Sequence, residues 1–416
     1  MPETKESTME DDVLVPDATI AWTTRRAPGD RLAPPPEFAE IQRSGAPMGR
    51  VRIWDDSEPW LVTTYDEYRQ VTSDQRFSAD KSRPGFPLKN AGYQSKARTF
   101  LQMDDPEHLP YRRLFARHLS AARMEALRPQ MQQIVDDLID AMLAKPQPAD
   151  LVADFALPVP ALILGAVFGV PAEDREGFLD LASTMSSAHS TPEQTAQAMT
   201  ELRAYSEKLV AAREIEPQDD LISRFLEDGV RGGVMTRSEL ISEVTLLVSA
   251  AHDTSTSLIA LGTLALLNNP EQLALLQENS GDAKFVSNAT EELLRFVSPA
   301  QTGRRRIATE DLELNGQIIR KGEGVIALDH QSSRDPKVFL DPDRLDLQRP
   351  EARRHNALGF GTHQCAGQSL ARVELQVVFS TLYRRLPNLA LAVPEAELPF
   401  REDTIIYNLD AMPISW

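Results

Sequence analysis

Cysteine is almost absent from this sequence, because Cys365 is the only one among its 416 residues. A single cysteine excludes an internal disulfide and every metal site that needs two or more thiolates. Long apolar runs are also missing. The longest uncharged stretch, 155–171, contains Pro158 and Pro160 and is shorter than the ~20 residues that a membrane helix needs. We expect this stretch to form a buried helix flanked by proline breaks.

Basic residues are in deficit, with 44 Lys and Arg against 62 Asp and Glu and a formal net charge of -18 at pH 7. An acidic surface favours solubility and argues against nucleic acid or anionic lipid as the main partner. The first 22 residues are acidic and polar, without the basic and apolar regions of a signal peptide. We therefore expect a cytoplasmic protein with no nucleic-acid or membrane partner.

The chain shows no internal repeat and no linker that would separate domains, although its length alone would allow two or three of them. We therefore expect a single domain over 1–416, mainly α-helical (α+β) with small antiparallel sheets. In chain order, the residue pattern predicts a surface arm over 1–40, a hairpin over 49–63 and helices over 65–295 with breaks at 83–92, 145–149, 215–218 and 228–233. Strands follow over 307–328, with turns at Asn315-Gly316 and Lys321-Gly322. A long loop over 331–364 and a last helix over 366–385 complete the prediction.

One long apolar helix is predicted between a capping box at Thr236-Arg-Ser-Glu239 and a stop at Asn268-Asn-Pro270. Its middle is polar, with the sequence Ala250-Ala-His-Asp-Thr-Ser-Thr256. Polar side chains inside a helix compete with the backbone for hydrogen bonds. The cluster is therefore either a solvated face or a functional site.

Glycines surround the single cysteine in the segment Ala357-Leu-Gly-Phe-Gly-Thr-His-Gln-Cys365-Ala-Gly367. Glycine permits backbone conformations that other residues avoid, and lets a bulky group approach closely. The predicted last helix begins directly after this loop, so its free N–H groups favour a thiolate at Cys365. Two other interpretations are an inert buried cysteine and a catalytic nucleophile paired with His363.

The same segment resembles the cysteine loop of the cytochrome P-450 family, Phe-x-x-Gly-x-x-x-Cys-x-Gly. Gly361, Cys365 and Gly367 match it, whereas Leu358 stands where the family has phenylalanine. The resemblance implies a haem b cofactor with Cys365 as the thiolate ligand of its iron. It also implies that Leu358 and Ala250 lie beside the haem.

Three further segments resemble the same family, in the same chain order. Asp253 and Thr254 match its acid–alcohol pair, with Ala251 in place of a glycine, which implies that they deliver protons during O₂ activation. Glu292-Leu-Leu-Arg295 and the segment 339–344 match its charge network, which implies that Glu292, Arg295 and Arg344 interact behind the cysteine loop.

The fourth matching segment, Asp105-Pro-Glu-His108, is interpreted as a helix start, with Asp105 as N-cap and the proline first in the helix. Arg112 follows His108 by four residues and so shares its face. The resemblance assigns both side chains to the haem propionates, together with Arg306 and His363.

The resemblance extends from about residue 55 to the C-terminus and is strongest to soluble bacterial members that act on natural products. It implies a monomeric monooxygenase that hydroxylates a lipophilic small molecule, such as a macrolide, polyketide or terpenoid. It would use O₂ and electrons from a separate ferredoxin and ferredoxin reductase. Haem-dependent oxidative coupling and oxidation of a carrier-tethered substrate are alternatives. A non-catalytic haem sensor is a remote one, because a sensor has no use for the Asp253–Thr254 pair.

Two surfaces are expected on this basis. Redox partners would dock on a basic face formed by Arg112, Arg113, Arg117 and Arg372. The substrate would bind in an apolar pocket, for which the candidates are Phe86, Pro87, Leu88, Leu247, Ala250, Val297, Ala300, Ile405 and Ile406.

Overall fold

The computed structural model describes residues 19–46, 48–89, 98–174, 191–402 and 404–416, together with positions 177, 178, 180, 181 and 184. Its α-helices are α1 (Pro36–Arg43), α2 (Tyr65–Ser73), α3 (His108–His118), α4 (Ala121–Ala126), α5 (Arg128–Leu143), α6 (Pro158–Phe168), α7 (Pro192–Ile215), α8 (Leu221–Arg224), α9 (Arg237–Leu267), α10 (Pro270–Glu278), α11 (Ala283–Val297), α12 (Asp329–Ser332) and α13 (Gln368–Arg385). Short 3₁₀ turns lie at Phe100–Gln102, Ala172–Asp174, Ala352–Arg354, Gly361–His363 and Glu395–Glu397, and π-helices at Val152–Ala156 and Phe225–Arg231.

The strands are short, with two to five residues each. They are β1 (Ile20–Ala21), β2 (Met48–Arg52), β3 (Trp60–Val62), β4 (Phe77–Ser78), β5 (Ala149–Asp150), β6 (Arg304–Ala308), β7 (Leu312–Leu314), β8 (Gln317–Ile319), β9 (Gly324–Ala327), β10 (Ala390–Leu391), β11 (Phe400–Arg401), β12 (Asn408–Leu409) and β13 (Pro413–Ser415). The largest sheet has the order β1-β2-β3-β9-β6-β4, and three smaller sheets complete the described part.

The predicted hairpins are confirmed by the strand register. Strands β2 and β3 pair antiparallel with Met48 opposite Val62. Strands β7 and β8 pair with Leu314 opposite Gln317, and the two residues between them, Asn315 and Gly316, both have positive φ. Positive φ at both central positions gives the turn that matches strand twist.

Helix α9 crosses the centre of the molecule and packs against α6, α7, α11 and α13. Its predicted capping box is confirmed, because Thr236 Oγ1 accepts the Glu239 N–H at 3.2 Å and Glu239 Oε2 accepts the Thr236 N–H at 2.6 Å. It is long and apolar enough to cross a membrane, but 61% of its most apolar window is buried by protein. We therefore interpret it as the core helix of a mainly α-helical α+β fold, the class predicted from the sequence.

The uncharged stretch 155–171 forms the predicted buried helix, α6, which begins at Pro158 and ends where Gly169 adopts a left-handed conformation. The expected surface arm is buried at several positions of its described part, 19–40. Arg26 and Leu32 are 4% and 5% exposed, and the Arg26 guanidinium lies 3.9 Å from the ring centroid of Tyr407. This contact fixes the arm against the end of the chain. Residues 1–18 lie outside the described part.

Candidate functional site

The cysteine loop is a 3₁₀ turn followed directly by α13, and its backbone requires glycine. Gly361 has a φ of +74°, and a Cβ on it would lie 2.3 Å from the carbonyl oxygen of Thr72. The Cys365 N–H donates to the Leu358 carbonyl at 2.8 Å. A Cβ on Gly367 would lie 4.0 Å from the Cys365 Sγ. The loop therefore leaves the sulfur half-buried and approachable at the start of a helix.

Four basic side chains from three separate segments converge on this side of the molecule. The rings of His108 and His363 lie 4.2 Å apart between centroids, and Arg112 is one turn beyond His108 on α3. Each of these residues, and Arg306 on β6, has one buried nitrogen without a hydrogen-bond partner among the described residues. Buried nitrogens of this kind need an acceptor, and the two carboxylates of a haem would supply acceptors for all four.

Burial controls the charge of this group. It lowers the pKa of His108 and, with the nearby charge of Arg306, lowers the pKa of His363 to about 2. Burial also lowers the pKa of Arg112, while the nearby Cys365 sulfur acts to raise it. It lowers the pKa of Arg306 to about 10. At neutral pH two neutral imidazoles therefore face two guanidinium cations, a donor set that suits paired carboxylates.

Arg304 is a further cation at this site that the sequence interpretation missed. Its Nε lies 3.1 Å from Asp329 Oδ1, which also accepts a hydrogen bond from the Tyr68 hydroxyl. The Arg304 Nη2 lies 3.3 Å from where a Cβ on Gly359 would stand. Successive strand residues face opposite sides, so Arg304 and Arg306 share one face of β6. That alternation was the available signal.

The middle of α9 has one face that neighbouring elements do not cover, which we call the opening. Residues on both sides of it are buried, yet Ala250 is exposed and Leu247, Asp253 and Thr254 are half-buried. The spacing of Leu247, Ala250 and Thr254 places them on one face of the helix. The exposure confirms that this cluster is accessible, as both the solvated-face and the functional interpretation require.

The acid and the alcohol of this opening differ in their contacts. Thr254 Oγ1 donates to the Ala250 carbonyl at 3.0 Å, so its hydroxyl has a partner within the helix. Asp253 Oδ1 is buried without a partner in the ranges that the structure describes. One turn of helix therefore holds a satisfied hydroxyl beside an unsatisfied carboxylate oxygen.

Glu374 on α13 is a second group that the sequence interpretation missed. It is 2% exposed, and its Oε2 accepts a hydrogen bond from Ser255, the residue after Thr254, at 3.1 Å. Burial raises the pKa of Glu374 to about 8, with the Ser255 bond acting against it. Helices α9 and α13 are thus joined by a carboxyl that is protonated at neutral pH.

The charge network behind the cysteine loop is present, but one predicted member is wrong. The Arg295 Nε and Nη2 donate to the two Glu292 carboxylate oxygens at 2.7 and 2.8 Å. The second guanidinium is that of Arg349, whose Nε lies 3.1 Å from Glu292 Oε1. Arg344 is exposed and contributes only its carbonyl oxygen, to Arg295 and Arg349. The Arg344 side chain is exposed at the surface, so it does not reach Glu292, which is fully buried.

The expected basic docking face is largely neutralised by acidic partners. Arg372 Nε lies 2.7 Å from Glu291, and Arg117 Nη1 lies 2.9 Å from Asp228. Arg112 is half-buried in the group described above, so Arg113 and the paired Arg117 are the members exposed at the surface.

The predicted start of α3 also needs correction, because the helix begins at His108 and Asp105 does not cap it. Residues 105–107 form a turn, and the His108 N–H donates to the Asp104 carbonyl at 2.9 Å. The Asp105 carboxylate instead lies 3.6 Å from His108 Nδ1, on the side of the ring opposite its unpartnered nitrogen.

The candidate pocket residues fall into three groups. Leu247 and Ala250 lie on the open face of α9, as above. Ala300, which follows the buried Val297, pairs by an isolated bridge with Ile406, while the Ile405 carbonyl accepts the Gln301 N–H. Arg305 Nη1 donates to the carbonyls of Pro87 and Leu88, both at 2.8 Å, which holds these two residues and the preceding Phe86 at the largest sheet.

The chain is similar to known proteins over nearly its whole length. Residues 178–387 match the family model described as Cytochrome P450. Cytochrome P450 CYP105Q4 of Mycobacterium marinum is 43% identical over 395 residues, which cover 94% of this chain and 95% of that protein. Cytochrome P450 GfsF of Streptomyces halstedii is 43% identical over 400 residues, covering 95% and 96%.

Solved structures agree. The crystal structure of GfsF superposes with a TM-score of 0.90 at 40% identity and covers 96% of this chain and 100% of its own. MycCI of Micromonospora griseorubida, a mycinamicin VIII C21 methyl hydroxylase bound to mycinamicin VIII, superposes with a TM-score of 0.87 at 34% identity, covering 96% and 100%.

Proposed function

Because the chain belongs to the cytochrome P450 family, it is a haem-dependent monooxygenase, and we propose that it hydroxylates a lipophilic natural product. The observation that carries the proposal is the opening in α9, where apolar Leu247 and Ala250 stand beside Thr254 on one accessible face. MycCI, with a similar structure, hydroxylates a methyl group of mycinamicin VIII. An apolar pocket wall with one hydroxyl favours a lipophilic substrate over a charged one.

We assign Cys365 as the iron ligand and the four unpartnered basic nitrogens as the propionate partners. His108, Arg112, Arg306 and His363 would each then bond a carboxylate oxygen, which removes the cost of burying them without acceptors. When bound, the haem supplies the activation of O₂ and the electron transfer that this chain's side chains lack. The protein would hold the haem and the substrate in position, exclude water from the site and supply the protons.

We assign proton handling to Thr254 and Asp253. The Thr254 hydroxyl lies on the accessible face of α9, with the Ala250 carbonyl as the acceptor of its own proton. Asp253, the residue before Thr254, has a carboxylate oxygen without a hydrogen-bond partner among the described residues, next to the hydroxyl that it would serve. Glu374, bonded to Ser255, is placed to support the same region from α13.

Electrons would come from a separate ferredoxin and its reductase, which dock on the side of α3. Arg113 is an exposed cation there. Arg117 is exposed as well, but its ion pair with Asp228 reduces the positive charge that it offers to a partner. We expect the substrate pocket to be completed by Val297, Ala300, Ile405 and Ile406, of which Ala300 and Ile406 are already in contact, and by the 86–88 segment.

Turnover with isotopically labelled O₂ tests the proposal. The haem-loaded protein, with a bacterial ferredoxin and its reductase, is given a panel of one macrolide, one polyketide and one terpenoid. We expect at least one compound to gain a single labelled oxygen atom, detected by mass spectrometry. Coupled or desaturated products without labelled oxygen, from compounds that do bind, would contradict hydroxylation.

A further inference from the structure

Glu243 is a buried carboxyl on α9 that the proposed chemistry does not use. It lies eleven residues, about three helical turns, before Thr254, and it is 1% exposed. Its Oε1 accepts a hydrogen bond from the backbone N–H of Phe100 at 2.8 Å. Its Oε2 has no partner within the described residues. An apolar side chain here would avoid the cost of burying a carboxyl. The bond to the Phe100 N–H is the contact that an apolar side chain could not make.

Phe100 begins a short 3₁₀ turn and so has a backbone N–H that the turn itself leaves free. The preceding Thr99 satisfies its own N–H with the side chain of Gln102 at 2.8 Å, but Phe100 has no such local acceptor. The acceptor comes from 143 residues away in sequence, on α9. Glu243 therefore fixes where this turn lies against the central helix.

The ring of Phe100 contacts His108, one of the four basic residues assigned to the haem propionates. It stacks on His108 with centroids 6.0 Å apart and planes within 12°, and it packs on Phe115 at 4.5 Å. His108 in turn lies against His363, 4.2 Å away, and presents an unpartnered Nε2. The contacts run without a gap from the carboxyl of Glu243 to the imidazole that precedes the cysteine by two residues.

We propose that Glu243 is a positioning residue that holds Phe100, and through its ring His108, in the orientation that binds a haem propionate. The inference rests on the proposed assignment of His108 to a propionate. It assigns a function to a residue in the first half of α9 that touches neither the iron ligand nor the substrate face around Ala250.

The charge state of Glu243 decides how it can be tested. Burial and the neighbouring carboxylate of Glu239 raise the pKa of Glu243 to about 8, and the bond from Phe100 acts in the opposite direction. The group is therefore a neutral acid at pH 7, and its accepting oxygen can be replaced by the carbonyl of glutamine. Glu239 is itself held by Thr236, so it does not compete for the Phe100 N–H.

The test compares Glu243→Leu with Glu243→Gln in the full-length, haem-loaded protein. Hydrogen exchange at the Phe100 amide reports the bond, and transfer of haem to apomyoglobin reports its retention. Loss of one net hydrogen bond corresponds to about tenfold, so we expect Glu243→Leu to speed both processes about tenfold. We expect Glu243→Gln to match the parent in both. A Gln variant as impaired as the Leu variant, or a Leu variant with unchanged haem loss, overturns the proposal.

Two further variants separate positioning from general damage. Glu374→Gln alters a buried carboxyl that bonds Ser255 and not Phe100, so Phe100 exchange should stay at the parent rate. Phe100→Leu keeps the amide bond but removes the stacked ring, so haem loss should rise while amide exchange does not. If Glu243→Leu does not fold with haem, the Phe100→Leu variant decides alone. Unchanged haem loss in Phe100→Leu then overturns the proposal.

His108→Ala distinguishes failure of the inference from failure of the function on which it rests. If His108→Ala retains haem as the parent does, the propionate assignment itself is wrong. If His108→Ala loses haem faster and Phe100→Leu does not, only the positioning inference fails.

Discussion

Two pairs of buried carboxyls have opposite electrostatic settings. Glu291 and Glu292 lie behind the loop and are 1% and 0% exposed, whereas Glu243 and Glu374, which contact α9 or belong to it, are 1% and 2% exposed. Burial alone therefore does not distinguish them. The difference lies in their partners: arginines meet the first pair, and a backbone N–H or a serine hydroxyl meets the second.

The consequences for protonation are large. Burial acts to raise the pKa of Glu291, but hydrogen bonds and charge from His355 and Arg372 lower it to about 2. Burial raises the pKa of Glu243 and Glu374 to about 8, and each keeps one oxygen without a partner among the described residues. Arginine charges hold the first pair, whereas Glu243 and Glu374 bond neutral donors and are protonated at neutral pH.

Removing one member of the permanent network should have the largest effect on stability. Arg349→Ala leaves Glu292 buried with one guanidinium fewer, and breaking a buried pair costs about 3–5 kcal/mol. Urea unfolding of the haem-loaded protein measures this loss. Arg344→Ala is the matched control, because Arg344 is exposed and surface changes fall within about 0.5 kcal/mol. If both variants lost the same free energy of unfolding, Arg344 would have to be counted as a member of the charge network.

Glu291 should respond to pH in the opposite direction to Glu243 and Glu374. Between their ordinary pKa of 4.5 and about 8, Glu243 and Glu374 keep protons in the folded state that the unfolded chain releases. The free energy of unfolding then falls as pH rises, by up to about 1.4 kcal/mol per pH unit for each group. Glu291 instead stabilises the fold above pH 4.5 and loses that contribution as pH falls towards 2.

Glutamine at each position isolates these slopes. In urea midpoints measured against pH, Glu374→Gln should flatten the decline between pH 4.5 and 8, and Glu291→Gln should flatten the decline at acid pH. A parent protein whose stability does not change over the first interval would show that Glu243 and Glu374 are ionised when folded.

A change at the opening should alter chemistry more than binding. Thr254→Ala removes the hydroxyl on the accessible face of α9, so the yield of hydroxylated product per electron should fall about tenfold or more, with the balance appearing as peroxide. Substrate affinity should not change, because the pocket wall keeps its shape. Thr256→Ala is the control: its hydroxyl also bonds within the helix, to the His252 carbonyl, but it is buried away from the opening. Unchanged yield in Thr254→Ala would contradict the proton role.

The smallest effect is expected at the departure from the family loop. Leu358 contributes its carbonyl to the Cys365 N–H, and a backbone bond survives a change of side chain. Leu358→Phe should therefore shift stability by less than about 1.5 kcal/mol and retain haem, as measured by urea unfolding and absorbance. Loss of haem would show that the side chain itself supports the ligand.

Local sequence signals predicted the features that depend on neighbouring residues. The capping box at Thr236, the Asn315-Gly316 turn and the glycine at 361 each have a short-range physical cause, and the structure confirms the first two as predicted. The family, the fold class and the haem cofactor are confirmed by the similarity to known P450 proteins. The site roles of individual residues stay predictions, although the structure brings His108, Arg112, Arg306 and His363 into one group.

The failures arise where contact depends on how the chain returns over long distances. Arg344 and Arg349 lie in the same loop, and no local rule indicates which of them reaches Glu292 from 57 residues away. The described arm after residue 18 is rich in proline and charge, yet Arg26 is buried there, against Tyr407 near the other end of the chain. Glu243 and Glu374 gave no signal, because a single Glu in a helix looks the same whether it is solvated or buried.

The absorption spectrum of the reduced, CO-bound protein tests most directly whether Cys365 ligates the haem iron. We expect a thiolate-ligated band in the parent protein that is absent from Cys365→Ala. The same band, unchanged, in Cys365→Ala would contradict the assignment of the only cysteine as the iron ligand.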